Sequence, residues 1–202
     1  MTAGSKHPPI YLVRHGETDW NAAGRLQGQR DIGLNSRGRA QARRNGAALA
    51  RHFAAAKRDP AGLRYLASPL GRTRETMEIL RRSLGLPREG YVVDARLMEV
   101  SFGEVEGLTL AEFAAQDPTG FKAREADRWG YVPRGGESYA QLSARAASLL
   151  AELDGPSVIV AHGGILRALY HLLLGRSVRD AMTMPVSQDE VHLFENGSLR
   201  GL

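Results

Sequence analysis

At 202 residues the chain is long enough to bury a substantial core and falls within the usual range of one domain. A hydrophobic content of 43% and a charged content of 24% are those of a soluble globular protein, and no apolar run approaches bilayer length, which argues against disorder and against a membrane span. There is no cysteine, so disulfides, thiolate metal sites and cysteine nucleophiles are excluded together, while a net charge of +5 attracts anions.

Met1 to Pro9 is polar and lacks the apolar core of a signal peptide, so it is expected to be a disordered tail, with a cytoplasmic location as the default. Ile10 to Val13 then reads as a buried strand that stops at Arg14-His15-Gly16, placing a cation, a titratable nucleophile and a flexible residue at a strand end. Glu17 to Asn35 is long for a structureless connection, which suits a binding loop. Ser36 is expected to cap a helix whose Ala42, Gly46, Leu49, Ala50 and Phe53 form a narrow face of small residues packing on a sheet. On that helix Arg37, Arg39, Arg43, Arg44 and Arg51 fall at helical spacing without interleaved aromatics, a solvated face rather than a nucleic-acid interface.

Leu63 to Ala67 reads as a second strand, and Ser68-Pro69 as the turn into a helix with Thr73, Met77, Leu80 and Leu84 on one face, which puts Arg72 in its first turn. Tyr91 to Asp94 is expected to be a short third strand. From Leu97 the chain turns irregular, with Glu99, Glu104 and Glu106 among glycines. Thr109 and Glu112 then make a capping box, and another helix is expected from Thr119 to Trp129. Residues 104–136 break the alternation of strand and helix and are expected to be an insertion roofing a pocket, within a single domain spanning 1–202. An amphipathic helix carrying Leu142, Ala146, Leu149, Leu150 and Leu153 precedes an apolar strand, Ser157 to Ala161, which runs into His162-Gly163-Gly164 and a helix through Leu174. Val191 to Phe194 is the expected last strand, antiparallel and at an edge.

This alternation predicts an α/β fold, a mainly parallel sheet with helices on both faces and its ligand site outside the carboxyl ends of the strands. Arg14-His15, Ser68 through Arg72, and His162-Gly163 would then open into one crevice. Two histidines and two arginines suit a dianion such as phosphate, since guanidinium forks bind phosphate oxygens bidentately. A metal held by His15, His162 and a glutamate is the competing reading, disfavoured because Arg14 and Arg72 repel a cation. A neutral His15 would attack phosphorus directly, a protonated His162 and the two arginines would meet the developing charge, and a carboxylic acid would protonate the leaving group. Spacing alone leaves that acid open among Glu17, Glu99, Glu104 and Glu106.

Arg14-His15-Gly16-Glu17 with Trp20-Asn21, Leu26-Gln27-Gly28, Ser68-Pro69-Leu70-Gly71-Arg72 with Thr76, Leu97-Met98-Glu99 with Phe102-Gly103 and Glu106-Gly107, and Val160-Ala161-His162-Gly163-Gly164 follow one another over most of the chain. Together they resemble the histidine phosphatase superfamily, the phosphoglycerate mutase-like family. The resemblance implies a three-layer αβα sandwich, no metal and no cofactor, His15 as the phosphorylated residue, Arg14 and Arg72 as phosphate ligands, His162 as the second pocket histidine and Glu99 as proton donor. It further implies that Asn21 contacts the phosphoryl group and that Gln27, Gly28 and Gly163 line the pocket of a small phosphorylated metabolite, with neither nucleic acid nor membrane as partner. Mutases of the family resemble Glu-Arg-His-Tyr-Gly around the acid, whereas here Glu99-Val100-Ser101-Phe102-Gly103 stands, which favours hydrolysis over mutase chemistry, while intact His15, Glu99 and His162 argue against a module that only binds. Arg25, Arg30 and Arg134 are expected to be solvated unless a second anionic group recruits them. His7, His52, His171 and His192 sit at no strand-end junction and are assigned no role.

Overall fold

The computed structural model describes residues 7–202, so Met1 to Lys6 of the expected tail lie outside the described residues. Pro9 leads directly into β1 (Ile10–Arg14), its carbonyl accepting from Ser157 N–H at 3.0 Å. The remaining strands are β2 (Arg64–Ala67), β3 (Val92–Val93), β4 (Ser157–Ala161), β5 (Val191–Glu195) and β6 (Ser198–Gly201), in the sheet order β3-β2-β4-β1-β5-β6. The first four in that order run parallel, β5 pairs antiparallel with β1, and β6 pairs antiparallel with β5.

Alternation along the strands divides the core. Ile10 and Leu12 face one side with Ile159 and Ala161, against α6 (Tyr139–Leu150) and α7 (Gly163–Leu174). Tyr11 and Val13 face the other with Val158 and Val160, against α2 (Ser36–Ala55) and α3 (Gly71–Ser83). The result is the expected three-layer αβα sandwich. Register fixes the site: Arg14 of β1 pairs with Ala161 of β4, and Ala67 of β2 pairs with Val160, so the residues that follow all three strands emerge side by side.

Several expectations need correction. Val191–Phe194 is internal, covered by β6, whose exposed residues carry no apolar alternation. Tyr91–Asp94 contributes only the exposed pair Val92–Val93. The cap of α2 is Asn35, whose Oδ1 accepts from Gly38 N–H at 2.8 Å, and Ser36 is the first helical residue. The small face of α2 meets a helix as well as the sheet, since a Cβ on Gly46 would lie 2.6 Å from Ser83 Cβ of α3. The 17–35 loop contains a one-turn helix, α1 (Asp19–Ala22), capped reciprocally by Thr18 and Asn21. Thr109 and Glu112 do form a capping box for α4 (Leu110–Gln116), but α5 (Pro118–Ala126) stops before Trp129. A short α8 (Val178–Thr183), without a long apolar pattern to announce it, precedes β5. No helix among the described residues is long and apolar enough to cross a membrane. On α2, Arg37, Arg39 and Arg44 pair with Glu17, Glu75 and Asp189, which suits a solvated face.

Candidate active site

A cleft of about 570 Å³ opens where β1, β2 and β4 end, and Arg14, His15, Asn21, Gln27, Gly28, Arg72, Glu99 and Gly163 all line it. His162 does not. It is fully buried one layer behind, its ring 5.1 Å from that of His15. The His15 imidazole is oriented by its own backbone, with Nδ1 at 2.8 Å from Gly16 O. A carbonyl only accepts, so Nδ1 carries the proton and the Nε2 lone pair is directed toward Arg72 Nε, which donates to it at 3.3 Å. Gly16 lets the backbone after β1 pack directly on the first turn of α2, because a Cβ there would lie 2.2 Å from Gly38 O.

Arg72 stands in the first turn of α3 and is wholly buried. Its guanidinium donates to Arg30 O at 2.6 Å and Gly28 O at 2.8 Å, and Nη2 lies 3.3 Å from His162 Nδ1. It thereby clamps the binding loop onto both histidines. Since Arg72 is a donor to His162 Nδ1, the His162 proton sits on Nε2, 2.9 Å from Ser68 Oγ. Arg14 donates from Nη1 to Val186 O at 2.7 Å, while its buried Nε has no partner among the described residues. Burial draws both guanidinium pKa values down, Glu99 opposing the fall.

The protonated His162 expected from sequence is not supported in this geometry. Burial first, then Arg72, hold both His15 and His162 well below the ordinary imidazole value of 6.5. Both are neutral at physiological pH, which leaves His15 Nε2 its lone pair. Lowered folded-state values mean that the unfolded chain binds more protons once pH falls below 6.5, so stability falls there and is flat above. Each imidazole is expected to contribute a slope of up to about 1.4 kcal/mol per pH unit in that range. Urea unfolding followed from roughly pH 7.5 to 5.5 checks this, and His15→Asn should remove part of the slope.

The four carboxylates separate cleanly. Glu17 binds Asn35 and Arg37, Glu104 pairs with Arg134 on the surface, and Glu106 is a loop staple accepting from Gln29 N–H at 3.0 Å and Phe102 N–H at 3.1 Å. Only Glu99 lines the cleft, its carboxylate accepting from Val100 N–H at 2.9 Å and Gly164 N–H at 3.0 Å. Gly164 must be glycine for this contact, because a Cβ would stand 2.2 Å from Glu99 Oε1. Among the described residues no three histidine, aspartate or glutamate side chains gather as metal ligands do, so the charge presented to a ligand comes from arginine.

The sequence pattern of the histidine phosphatase superfamily (branch 1) matches residues 10–197. The chain belongs to this superfamily. Among its relatives, a metal-independent phosphoserine phosphatase of Arabidopsis thaliana is 35% identical over 190 residues, 91% of this chain and 76% of the relative. A protein of Erwinia tasmaniensis named "Probable phosphoglycerate mutase GpmB" is 37% identical, covering 82% of this chain and 74% of its own. The solved structure of a mycobacterial glucosyl-3-phosphoglycerate phosphatase complexed with VO3 superposes with a TM-score of 0.77 at 33% identity, covering 96% of each chain.

Four further residues, Arg167, Tyr139, Val186 and Gln188, lie at or near the cleft, and only Arg167 carries a signal in sequence. Arg167 lies one helical turn beyond Gly163, a spacing that would have placed it at the cleft, where its Nη1 is held by the carbonyls of Ala181, Met182 and Met184 at 2.7–3.0 Å. Tyr139 also lines the cleft, its ring stacked on Trp129 at 6.3 Å and its hydroxyl pushed up to about 12 by burial, which keeps it a neutral donor. Val186 and Gln188 come from the irregular stretch after α8, far from His15 in the chain. Arg25 lines the cleft but is committed to Glu112 and Gly107 O, and Arg30 is paired with Glu106.

Proposed function

We propose that this histidine phosphatase hydrolyses small phosphomonoesters without a metal, through a phosphohistidine on His15 Nε2. The observation that carries the reading is the pair of bonds on the His15 ring: Gly16 O holds the proton on Nδ1, and the Nε2 lone pair faces the cleft beside Arg72. On substrate binding the Arg72 Nε–H turns from Nε2 to a phosphoryl oxygen, freeing the lone pair. Nε2 then attacks phosphorus in line, the P–Nε2 bond forms as the ester P–O bond breaks, and the Glu99 carboxyl proton passes to the departing alkoxide. Glu99, now a carboxylate, takes a proton from water as that water displaces His15 from phosphorus. Arg14, Arg72 and the Asn21 amide bind the equatorial oxygens, and a dianion beside it draws the His162 pKa back up. We further read residues 104–136 as a cap within one domain, holding the alcohol portion over the cleft.

Mutase chemistry is the alternative, favoured by the named mutase relative. Against it, the residues after Glu99 offer no second anion site: Val100 is buried in the core, Ser101 serves Glu106, and Phe102 presents an apolar edge to the cleft. A bisphosphorylated primer is expected to leave turnover unchanged, with water the acceptor in every cycle. Primer-dependent transfer between hydroxyls would instead establish a mutase.

Glu99→Gln should slow phosphoryl transfer by about 10²- to 10⁴-fold for alkyl phosphates and far less for p-nitrophenyl phosphate, whose leaving group needs no proton. Equal slowing of both would remove Glu99 from the acid role. Gly164→Ala is expected to show the same dependence on leaving group in milder form, since the added methyl displaces the Glu99 carboxylate.

A further inference from the structure

The segment between α8 and β5 has no regular structure, yet it touches three residues of the cleft. Val186 O receives Arg14 Nη1 at 2.7 Å. Gln188 Nε2 donates one hydrogen to His15 O and the other to Asn21 Oδ1, both at 3.0 Å. Behind it the segment is anchored on α2: Asn45 Nδ2 donates to Gln188 O at 3.0 Å and Gln41 Nε2 to Asp189 Oδ2 at 3.0 Å, with Arg44 on the same carboxylate. Gln41 also accepts from Glu17 N–H at 2.8 Å, so both sides of the binding loop hang from one buried polar network.

We infer that Gln188 is a positioning residue that fixes which face of the Asn21 amide the phosphoryl group meets. Asn21 Oδ1 accepts from three donors, Thr18 N–H and Thr18 Oγ at 3.2 Å each and Gln188 Nε2. Turning the amide over would set its NH2 against those donors, so the orientation is determined by the network. The Nδ2 hydrogens, which donate to no described residue, are thereby left for an anion in the cleft. Thr18 holds the amide only from within α1, whereas Gln188, itself held from α2, ties it to the rest of the fold.

The inference rests on the proposed phosphate binding in this cleft and not on turnover, so phosphate affinity decides it. Gln188→Met, which keeps the length and removes both donors, is expected to weaken inorganic phosphate binding by calorimetry about 10-fold and to raise KM for p-nitrophenyl phosphate similarly, with kcat changed by less than about 3-fold. In an Asn21→Ala background the same substitution should change phosphate affinity by less than about 2-fold, because the group it orients is gone. Gln188→Asn, withdrawn by one methylene, should give the same split if the methionine variant does not fold. Equal weakening with and without Asn21, or unchanged phosphate affinity in both Gln188 variants, would overturn the inference. A wild-type protein that binds phosphate with this coupling but hydrolyses no phosphomonoester would refute the hydrolase reading and leave the positioning role standing.

Discussion

Replacing His15 with alanine is expected to lower kcat/KM for any phosphomonoester by at least about 10⁴-fold, because the covalent route is lost and the remaining groups can only assist attack by water. Binding should survive far better. Arg14, Asn21 and Arg72 hold their positions through Val186, Thr18, Gly28 and Arg30, none of which needs the imidazole. Inorganic phosphate should therefore still bind the variant within about 10-fold of wild type. Steady-state kinetics beside calorimetry separates the two effects. A variant that lost both together would mean that His15 is a packing residue whose removal collapses the cleft.

Arg72 should show the second large effect, with stability and activity falling together. Deleting its guanidinium removes a preorganised charge from the transition state, a change that typically costs about 10²- to 10³-fold. It also strands the buried carbonyl of Gly28, at roughly 1–3 kcal/mol, and frees that of Arg30 nearer the surface. Arg72→Ala is thus expected to lower both kcat/KM and the urea midpoint, with an activity loss at least as large as one oxyanion donor. Arg72→Lys should rescue neither fully, since a single ammonium cannot reach two loop carbonyls and two imidazoles at once. Full activity in Arg72→Lys would show that the site needs only a charge at this position, and the loop-clamping role would be wrong.

Much of this site is legible in sequence because parallel strands impose a rule. His15, Ser68 and His162 each follow the last residue of a strand, and the pairings of Arg14 with Ala161 and Ala67 with Val160 bring those ends level, so a pattern spread over most of the chain converges in space. What sequence periodicity leaves out is set by contacts it does not encode. The choice of Glu99 over Glu106 depends on which of them the fold turns into the cleft, since each accepts from two backbone amides and both stand among similar glycine-rich residues. His162 is visible as a strand-end histidine, but its place behind the cleft and its neutral state follow from burial against Arg72. Strand β6 and helix α8 are short and largely exposed, giving neither a period of two nor one of 3.6 to detect. Gln188 is the extreme case: an isolated glutamine in an irregular stretch, whose role depends on the side chains of Asn21 and Asn45 and on the backbone carbonyl of His15.

The covalent intermediate is the most direct test of this account. The purified enzyme would be mixed with a phosphomonoester labelled on phosphorus, quenched in alkali during turnover and digested for mass spectrometry. The prediction is an acid-labile, base-stable phosphate on Nε2 of His15, formed and discharged at rates consistent with kcat and absent from His15→Ala. Phosphate on another residue, or full turnover by the alanine variant with no labelled protein, would contradict the assignment of His15 as the nucleophile.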